Sequence, residues 1–291
     1  MGDMRVAVIG GTGLVGRHTT KALRDAGHDV VVVARSTGVD LATGAGLDAE
    51  LAGITAVIDV TNTAVPDAEA ARELFGTTTG NLLAAEQRAG VGHHVVLSIV
   101  SVDRIAGNAH YAGKRRQEEL VAGGPIPATI LRATQFHEFA AMVVDWTQRG
   151  DVATVPPLLV QPVAASDVGQ VLAEIATGPP QGRARDLAGP ETQDLVDMAR
   201  RTLAARGRSV RLAPSWRGGL FSVDMAGEVL LPGPDAQLAP TTFDTWLAGE
   251  AESTACHGRE LDSADVRAEK RRCGRVHDVD RRGGSVGVGG G

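Results

Sequence analysis

Tyrosine occurs once in this chain, at Tyr111, lysine three times, at Lys21, Lys114 and Lys270, and cysteine twice, at Cys256 and Cys273. Each scarcity excludes something. Both cysteines sit near the C-terminus, so no disulfide staples the body of the chain. The few lysines carry correspondingly more weight. No apolar run reaches the length of a membrane span, and the first residues lead into a strand with no signal peptide ahead of it. A cytoplasmic location with no membrane partner is therefore expected. The formal net charge of −6 argues against a nucleic-acid-binding body, which usually shows a basic face. His93-His94 has no cysteine or carboxylate at ligand spacing, so no metal site is expected.

What the chain does have is glycine in one telling place. Residues 5–16 read Arg-Val-Ala-Val-Ile-Gly-Gly-Thr-Gly-Leu-Val-Gly. The apolar run Val6 to Ile9 predicts a strand buried on both faces of a parallel sheet. A glycine turn follows, and then an amphipathic helix from Leu14 to Ala26, closed by Gly27. A backbone that must turn tightly and approach a pyrophosphate needs glycine, and a helix N-terminus offers free N–H groups to the anion. Gly10, Thr12, Gly13, Leu14, Val15 and Gly16 are thus the expected dinucleotide cradle. Strand and helix context on both sides strengthens a motif that is weak alone.

The same alternation continues. Strands are predicted at Val30–Val33, at most briefly near Val39, then at Ile54–Val60, Val95–Val100 and Ala128–Leu131. Helices are predicted at Leu47–Ala52, Pro66–Ala89 with a soft interruption at Gly76–Gly80, His110–Val121 and Gln135–Gln148. This pattern predicts an α/β fold with a doubly wound parallel sheet over residues 1–150. Beyond Gly150 the rhythm loosens into a small C-terminal, substrate-side portion, 151–249. There, short extended pieces lie between Val152 and Val163, and Ser166-Asp167 is placed to cap a helix ending at Ala176. Strands are expected at Arg183–Ala188 and Ser209–Leu212, and helices at Glu191–Arg206 and Thr241–Leu247. Residues 250–291 have no aromatic and no periodicity, the composition of a disordered tail.

The end of the second strand bears on the cofactor. An NAD site usually has Asp or Glu there to hold the ribose 2′-hydroxyl. This chain has Ala34-Arg35-Ser36, and its nearest acid, Asp29, lies at the strand's other end. The donor fork of Arg35 and the hydroxyl of Ser36 suit a 2′-phosphate, so NADP(H) is favoured over NAD(H). Thr61-Asn62-Thr63 and Gln135-Phe136 end two further strands and are expected against the ribose and nicotinamide. Asp59, inside a strand that should be buried, needs a backbone or basic partner. His137-Glu138 is expected as a helix-surface pair, and Phe139 and Trp146 as core.

The body from Arg5 to about Gly249 resembles an atypical short-chain dehydrogenase/reductase of the NmrA-like, NAD(P)H-binding group. The matching pieces are Gly-Gly-Thr-Gly-Leu-Val-Gly at 10–16, Asn81-Leu82-Leu83-Ala84-Ala85 before Ala89-Gly90-Val91, and His94-Val95-Val96-Leu97-Ser98. They continue with Thr129 to Phe136 and with Pro162-Val163-Ala164 leading to Asp167-Val168. The resemblance implies a Tyr-x-x-x-Lys pair after the strand that ends near Ser98, with a Ser or Thr at that strand's end. Lysine in such a pair lowers the phenol pKa and holds the ribose, and tyrosine moves a proton. Here the segment reads His110-Tyr111-Ala112-Gly113-Lys114. His110 holds the tyrosine position and Tyr111 lies one residue late, a rotation of about 100° on a helix. Three readings stay open: Lys114 with Tyr111 or His110 as proton donor, Lys114 without a tyrosine, or an inert site that only senses the nucleotide. Ser98 and Ser101 both suit the Ser/Thr position. The activities implied are NADP(H)-dependent hydride transfer to a small carbonyl- or quinone-like molecule, non-catalytic regulation of a partner protein, or sugar-nucleotide epimerisation or dehydration. The resemblance also implies a homodimer.

Overall fold

The computed structural model describes residues 3–251 apart from Ala64, Pro66 and 218–220. The expected tail beyond 251, with both cysteines and Lys270, lies outside the described residues, as does the placement of Pro66. The elements run β1 (Arg5–Ile9), α1 (Leu14–Asp25), β2 (Asp29–Val33), α2 (Leu47–Glu50), β3 (Ala56–Asp59), α3 (Ala68–Ala89), β4 (His93–Ile99), α4 (Ala109–Ala122), β5 (Ala128–Ala133) and α5 (Phe139–Thr147). Then come β6 (Val152–Val155), β7 (Leu159–Val160), α6 (Ala165–Ala176), β8 (Gly182–Arg183), β9 (Leu187–Ala188), β10 (Gln193–Asp194), α7 (Leu195–Ala205), β11 (Arg211–Pro214) and β12 (Gln237–Leu238). A last helical stretch covers 243–251.

The central sheet is ordered β2-β1-β3-β4-β5-β9-β12, with β8 also on β5, and every pairing in it is parallel. This is the expected α/β fold with a doubly wound sheet. The chain leaves β1 outward to β2 and returns on the other side to β3. The crevice at that reversal is where such sheets take ligands. Alternation along β1 explains the layering. Val6 and Val8 pack with Leu23 of α1 and Val168 and Leu172 of α6 on one face. Ala7 and Ile9 pack with Leu47 of α2 and Leu82 of α3 on the other.

Several expectations are corrected. No strand forms near Val39; residues 35–37 make a 3-10 turn, and Asp40 and Ala45 share an isolated bridge. That leaves β2 at the sheet edge, so Val30 to Val32 are half-buried, not enclosed. α3 runs unbroken through Gly76 and Gly80; Arg116 of α4 packs at Gly76, and glycine's helix penalty is modest enough for an exposed Gly80 to be carried by the helix around it. α6 begins at Ala165 with Ala164 as its cap. Asp167 instead accepts from the Thr241 N–H at 3.0 Å and its hydroxyl at 2.9 Å. The single strand expected at 183–188 is two short ones, β8 and β9.

His93 and His94 lie inside β4, not ahead of it. His94 Nδ1 sits 2.8 Å from Glu86 Oε1 of α3, and both side chains are fully buried. Burial alone would push the imidazole pKa down. The Glu86 carboxylate charge and hydrogen bond outweigh it and hold His94 above its usual value, while burial pushes Glu86 up. The folded chain therefore keeps protons that the unfolded chain releases. The pair's contribution is complete below the unfolded histidine value of about 6.5 and is lost as pH rises through the raised folded value. In urea titrations the wild type should exceed the Glu86→Gln/His94→Gln double variant most near pH 6, and the gap should shrink on raising the pH. A gap that is flat or widens with pH would contradict this assignment.

Candidate functional site

The carboxyl ends of β1, β3, β4 and β5 converge with the first turns of α1 and α4. The glycine turn is built for close approach. Gly10 has φ +81°, and a Cβ there would lie 3.3 Å from the backbone of Val60 and Thr61. A Cβ on Gly16 would lie 2.3 Å from the Gly10 carbonyl, so the helix can seat under the turn only with glycine here. Gly13 caps α1 with no side-chain acceptor, and the first turn holds no acid. Its leading N–H groups thus remain available to an anion, as a dinucleotide pyrophosphate requires.

Arg35 and Ser36 are exposed just past β2. Among the described residues the Arg35 guanidinium has neither an ion-pair nor a hydrogen-bond partner. Thr61 ends β3 half-buried, with Asn62 exposed beside it. Asp59 finds the partners that its burial demands. Its carboxylate accepts from the Thr61 N–H at 2.8 Å and from Gln117 Nε2 at 2.8 Å.

Lys114 is 5% exposed. Its Nζ donates to the Thr61 carbonyl at 3.0 Å, the Leu97 carbonyl at 2.9 Å and Gln117 Oε1 at 2.9 Å. An ammonium has three protons, and all three are spoken for. Burial lowers its pKa to about 8, with Asp59 and Glu118 pulling the other way. The Phe75 ring lies 5.4 Å below it. Two arginines steady α4 against its neighbours. Arg132 of β5 forms a two-pronged bond to Glu118 and a third bond to Asp103, and Arg115 holds the Val102 and Ile105 carbonyls.

Tyr111 and Lys114 share a helix but not a site. The phenol packs among Val102, Ile105, Ala140 and Val143, and burial pushes its pKa up, only partly opposed by a hydrogen bond from Gln135. Lysine activation of this tyrosine is absent. His110, at the tyrosine position, is half-buried, with its ring edge-on to Phe75 at 6.4 Å. Burial and the Lys114 charge push it down to about 4, so it is neutral near pH 7. Ser98 is buried at the end of β4, and its Oγ has no partner. Ser101 is committed elsewhere: at φ +61° its hydroxyl donates to the Val229 carbonyl at 2.5 Å. Gln135 is buried with its Oε1 unpartnered, and Phe136 is half-buried, bridged to Val163.

Two expectations nearby fail. His137 and Glu138 do not form a surface pair. His137 is 1% exposed under the last helical stretch, near the Thr241 carbonyl, and Glu138 accepts from Trp246 Nε1 at 3.2 Å. Trp146 is 46% exposed rather than core; Phe139 is half-buried against it and Phe221. Among the described residues no group of three or more His, Cys, Asp or Glu could hold a metal. No helix among them is long and apolar enough to cross a membrane.

Residues 6–155 match the NAD dependent epimerase/dehydratase family. The chain belongs to that family. Against curated relatives, it is 32% identical over 111 residues to the photosystem II assembly factor Ycf39 of Synechocystis. That match covers 33% of this chain and spans only 34% of the relative's length. Among solved structures, a nucleoside-diphosphate-sugar epimerase from Staphylococcus aureus is similar with a TM-score of 0.65 at 15% identity, over 84% of this chain and 99% of that one. An NADPH-dependent quinone oxidoreductase from Escherichia coli is similar with a TM-score of 0.57 at 15% identity, over 84% and 98%. At these identities the structural likeness establishes the fold alone, an α/β fold of Rossmann type.

Gly113 shows how tightly the α4 turn is built. A Cβ there would lie 2.4 Å from the Phe75 ring, against which Lys114 and His110 rest. Gly113→Ala should cost about 1–3 kcal/mol through overpacking, read as a lower urea midpoint with an unchanged slope. The same substitution in a Phe75→Leu background should cost less. Equal costs in the two backgrounds would show that the ring is not the obstacle.

Proposed function

We propose that this chain is an NADP(H)-dependent oxidoreductase that reduces a small quinone- or carbonyl-like acceptor, with residues 151–249 covering the substrate side. The observation that carries the cofactor half is Arg35. It is an unpaired guanidinium where an NAD-selective site needs an acid, and Ser36 stands beside it. The cradle from Gly10 to Gly16, including Thr12, Leu14 and Val15, holds the pyrophosphate. Asn62, Thr61, Gln135 and Phe136 border the ribose and nicotinamide. A bound nicotinamide supplies the hydride.

The chain's own residues narrow the acceptor. Epimerases and dehydratases rely on an ionisable tyrosine to take a proton from a sugar hydroxyl. Here the single phenol is pushed up, away from ionisation, and has no lysine contact. A quinone needs less help, because the anion left after hydride addition is delocalised and takes a proton from water or a weak donor. In this reading half-buried, neutral His110 at the start of α4 orients such an acceptor and donates a hydrogen bond to it, and the buried, unpartnered Ser98 hydroxyl at the end of β4 is a second donor. Lys114 acts by holding Thr61 and Leu97 in register.

A second reading has its own support. A site whose lysine is saturated and whose tyrosine is inert also suits a non-catalytic NADP(H)-binding regulator of a partner protein. A relative named as an assembly factor points the same way. One experiment separates the two. NADPH and NADH are titrated by nicotinamide fluorescence, with wild type and Arg35→Ala. The NADPH absorbance is then followed with panels of quinones, aldehydes and sugar nucleotides. The oxidoreductase reading expects NADPH to bind at least tenfold tighter than NADH, an advantage lost in Arg35→Ala, and quinones to be reduced faster than aliphatic aldehydes. Tight NADPH binding without turnover of any acceptor supports the regulator. Tighter NADH binding, or interconversion of a sugar nucleotide, overturns the proposal.

A further inference from the structure

The loop that leaves β4, residues 101–105, is held more firmly than a connection needs. Ser101 has φ +61°, and among the described residues it is the only one besides glycine with a positive φ. Such a backbone persists only where the surroundings enforce it, and it gathers at functional sites. The enforcement is on view. The Val100 N–H donates to the Ala133 carbonyl at 3.0 Å, and the Arg104 N–H closes a turn on the Ser101 carbonyl at 2.9 Å. Ser101 Oγ donates to the Val229 carbonyl. Arg115 Nη1 donates to the Val102 and Ile105 carbonyls, both at 2.6 Å. The side chains of Val102 and Ile105 are buried in the apolar cluster that holds Tyr111.

One further tether is of a different kind. Arg132 of β5 is buried, and its Nε and Nη2 already donate to the Glu118 carboxylate at 2.8 and 2.5 Å. Its Nη1 nonetheless reaches Asp103 at 2.6 Å. The two ends of that bond differ in exposure, 7% for the Arg132 side chain and 64% for Asp103. An ion pair so open at one end adds little to the stability of the fold. It does tie the tip of the loop to β5 and, through Glu118, to α4 one turn beyond Lys114. A weak bond is enough to choose among positions of a short loop.

Place gives this rigidity a use. Ligands of such a sheet lie at the carboxyl ends of its strands, and the loop begins three residues after Ser98. Its other side meets Val229. It thus stands between the end of β4 and the portion that, in the oxidoreductase reading above, covers the substrate. We infer that the Asp103–Arg132 pair is a clasp that preforms the acceptor-facing wall, which makes Asp103 and Arg132 positioning residues for the acceptor and not for the cofactor. This rests on that reading and deepens it. A wall set before the acceptor arrives removes the cost of ordering it on binding. The glycine turn follows β1 and Arg35 follows β2, two and three strands from β4 in the sheet, so the grip on the dinucleotide does not depend on the clasp.

The test separates acceptor from cofactor. Wild type, Asp103→Ala, Asp103→Asn and Asp103→Glu are compared in NADPH affinity, in urea midpoint, and in KM and kcat for 1,4-naphthoquinone at saturating NADPH. Asp103→Ala and Asp103→Asn should raise KM about tenfold and leave kcat within about twofold, the pattern of lost uniform binding. NADPH affinity and urea midpoint should stay near the wild-type values, because Arg132 keeps Glu118. Asp103→Glu should recover part of the loss. Raising NaCl to about 0.5 M should move the wild-type KM toward that of Asp103→Ala and leave the variant's own nearly unchanged, since an exposed pair is screened. Turnover with an unchanged KM in Asp103→Ala overturns the clasp and leaves the oxidoreductase reading standing. Equal weakening of NADPH and naphthoquinone, or a fall in urea midpoint alone, shows a brace for the fold and also overturns it. A wild type that turns over no acceptor removes the oxidoreductase reading itself, and the inference with it.

Discussion

A buried ammonium must find acceptors, and much of this site is arranged around the one at Lys114. Taking an unpaired charge out of water is costly. The helix that carries it is therefore held close enough to β3 and β4 for two backbone carbonyls to reach the charge, with Gln117 as the third acceptor. Gln117 in turn passes one N–H to Asp59, so lysine, amide and carboxylate form a continuous polar chain beneath the crevice. Glycine at 113 admits the Phe75 ring that lies beneath Lys114. Removing any member would leave another without a partner.

That commitment changes what the familiar lysine position means. A lysine free to reach a ribose and lower a phenol pKa belongs to one kind of chemistry. Here the lysine is saturated, and the phenol packs in an apolar cluster with Gln135 as its hydrogen-bond partner. The family supplies the frame, a glycine turn under a helix and a crevice at the sheet's reversal point. The departures at His110 and Tyr111 are this chain's own, and function has to be argued from them rather than from the frame.

Local patterns were readable in the sequence wherever a single stretch determines its own outcome. The strand–glycine–helix order at 5–26 and the apolar runs of β3, β4 and β5 follow from periodicity and punctuation, and so does the absence of an acid after β2. What was not readable depends on partners far along the chain. Asp167 looks like a helix cap, but Thr241 claims its carboxylate. Gly76 and Gly80 look like a soft interruption, but α4 packs against the helix at Gly76 through Arg116. The residue types His94 and Glu86 were visible, yet their pairing requires α3 to lie on β4. Lys114 stands out in the sequence as one of three lysines, while its three acceptors come from elements that only the folded sheet brings together. Near Val39 the sequence predicts at most a very short strand; the stretch between Gly38 and Gly46 is short and glycine-rich, and its pairing is limited to the isolated bridge of Asp40 with Ala45.

The contact between Ser101 and Val229 implies an order of assembly. Ser101 holds a left-handed backbone that a non-glycine residue adopts only at some cost, about 1–3 kcal/mol, and its hydroxyl bond to the Val229 carbonyl joins positions 128 residues apart. The sheet from β1 to β5 closes through successive crossovers and can form while the chain is still emerging. The loop after β4 lacks this bond until residue 229 has been synthesised and docked. The glycine turn is thus complete early in synthesis and the contact that fixes the loop after β4 only late. A chain cut short before residue 229 would keep the glycine turn under α1 while losing the acceptor that holds the Ser101 hydroxyl.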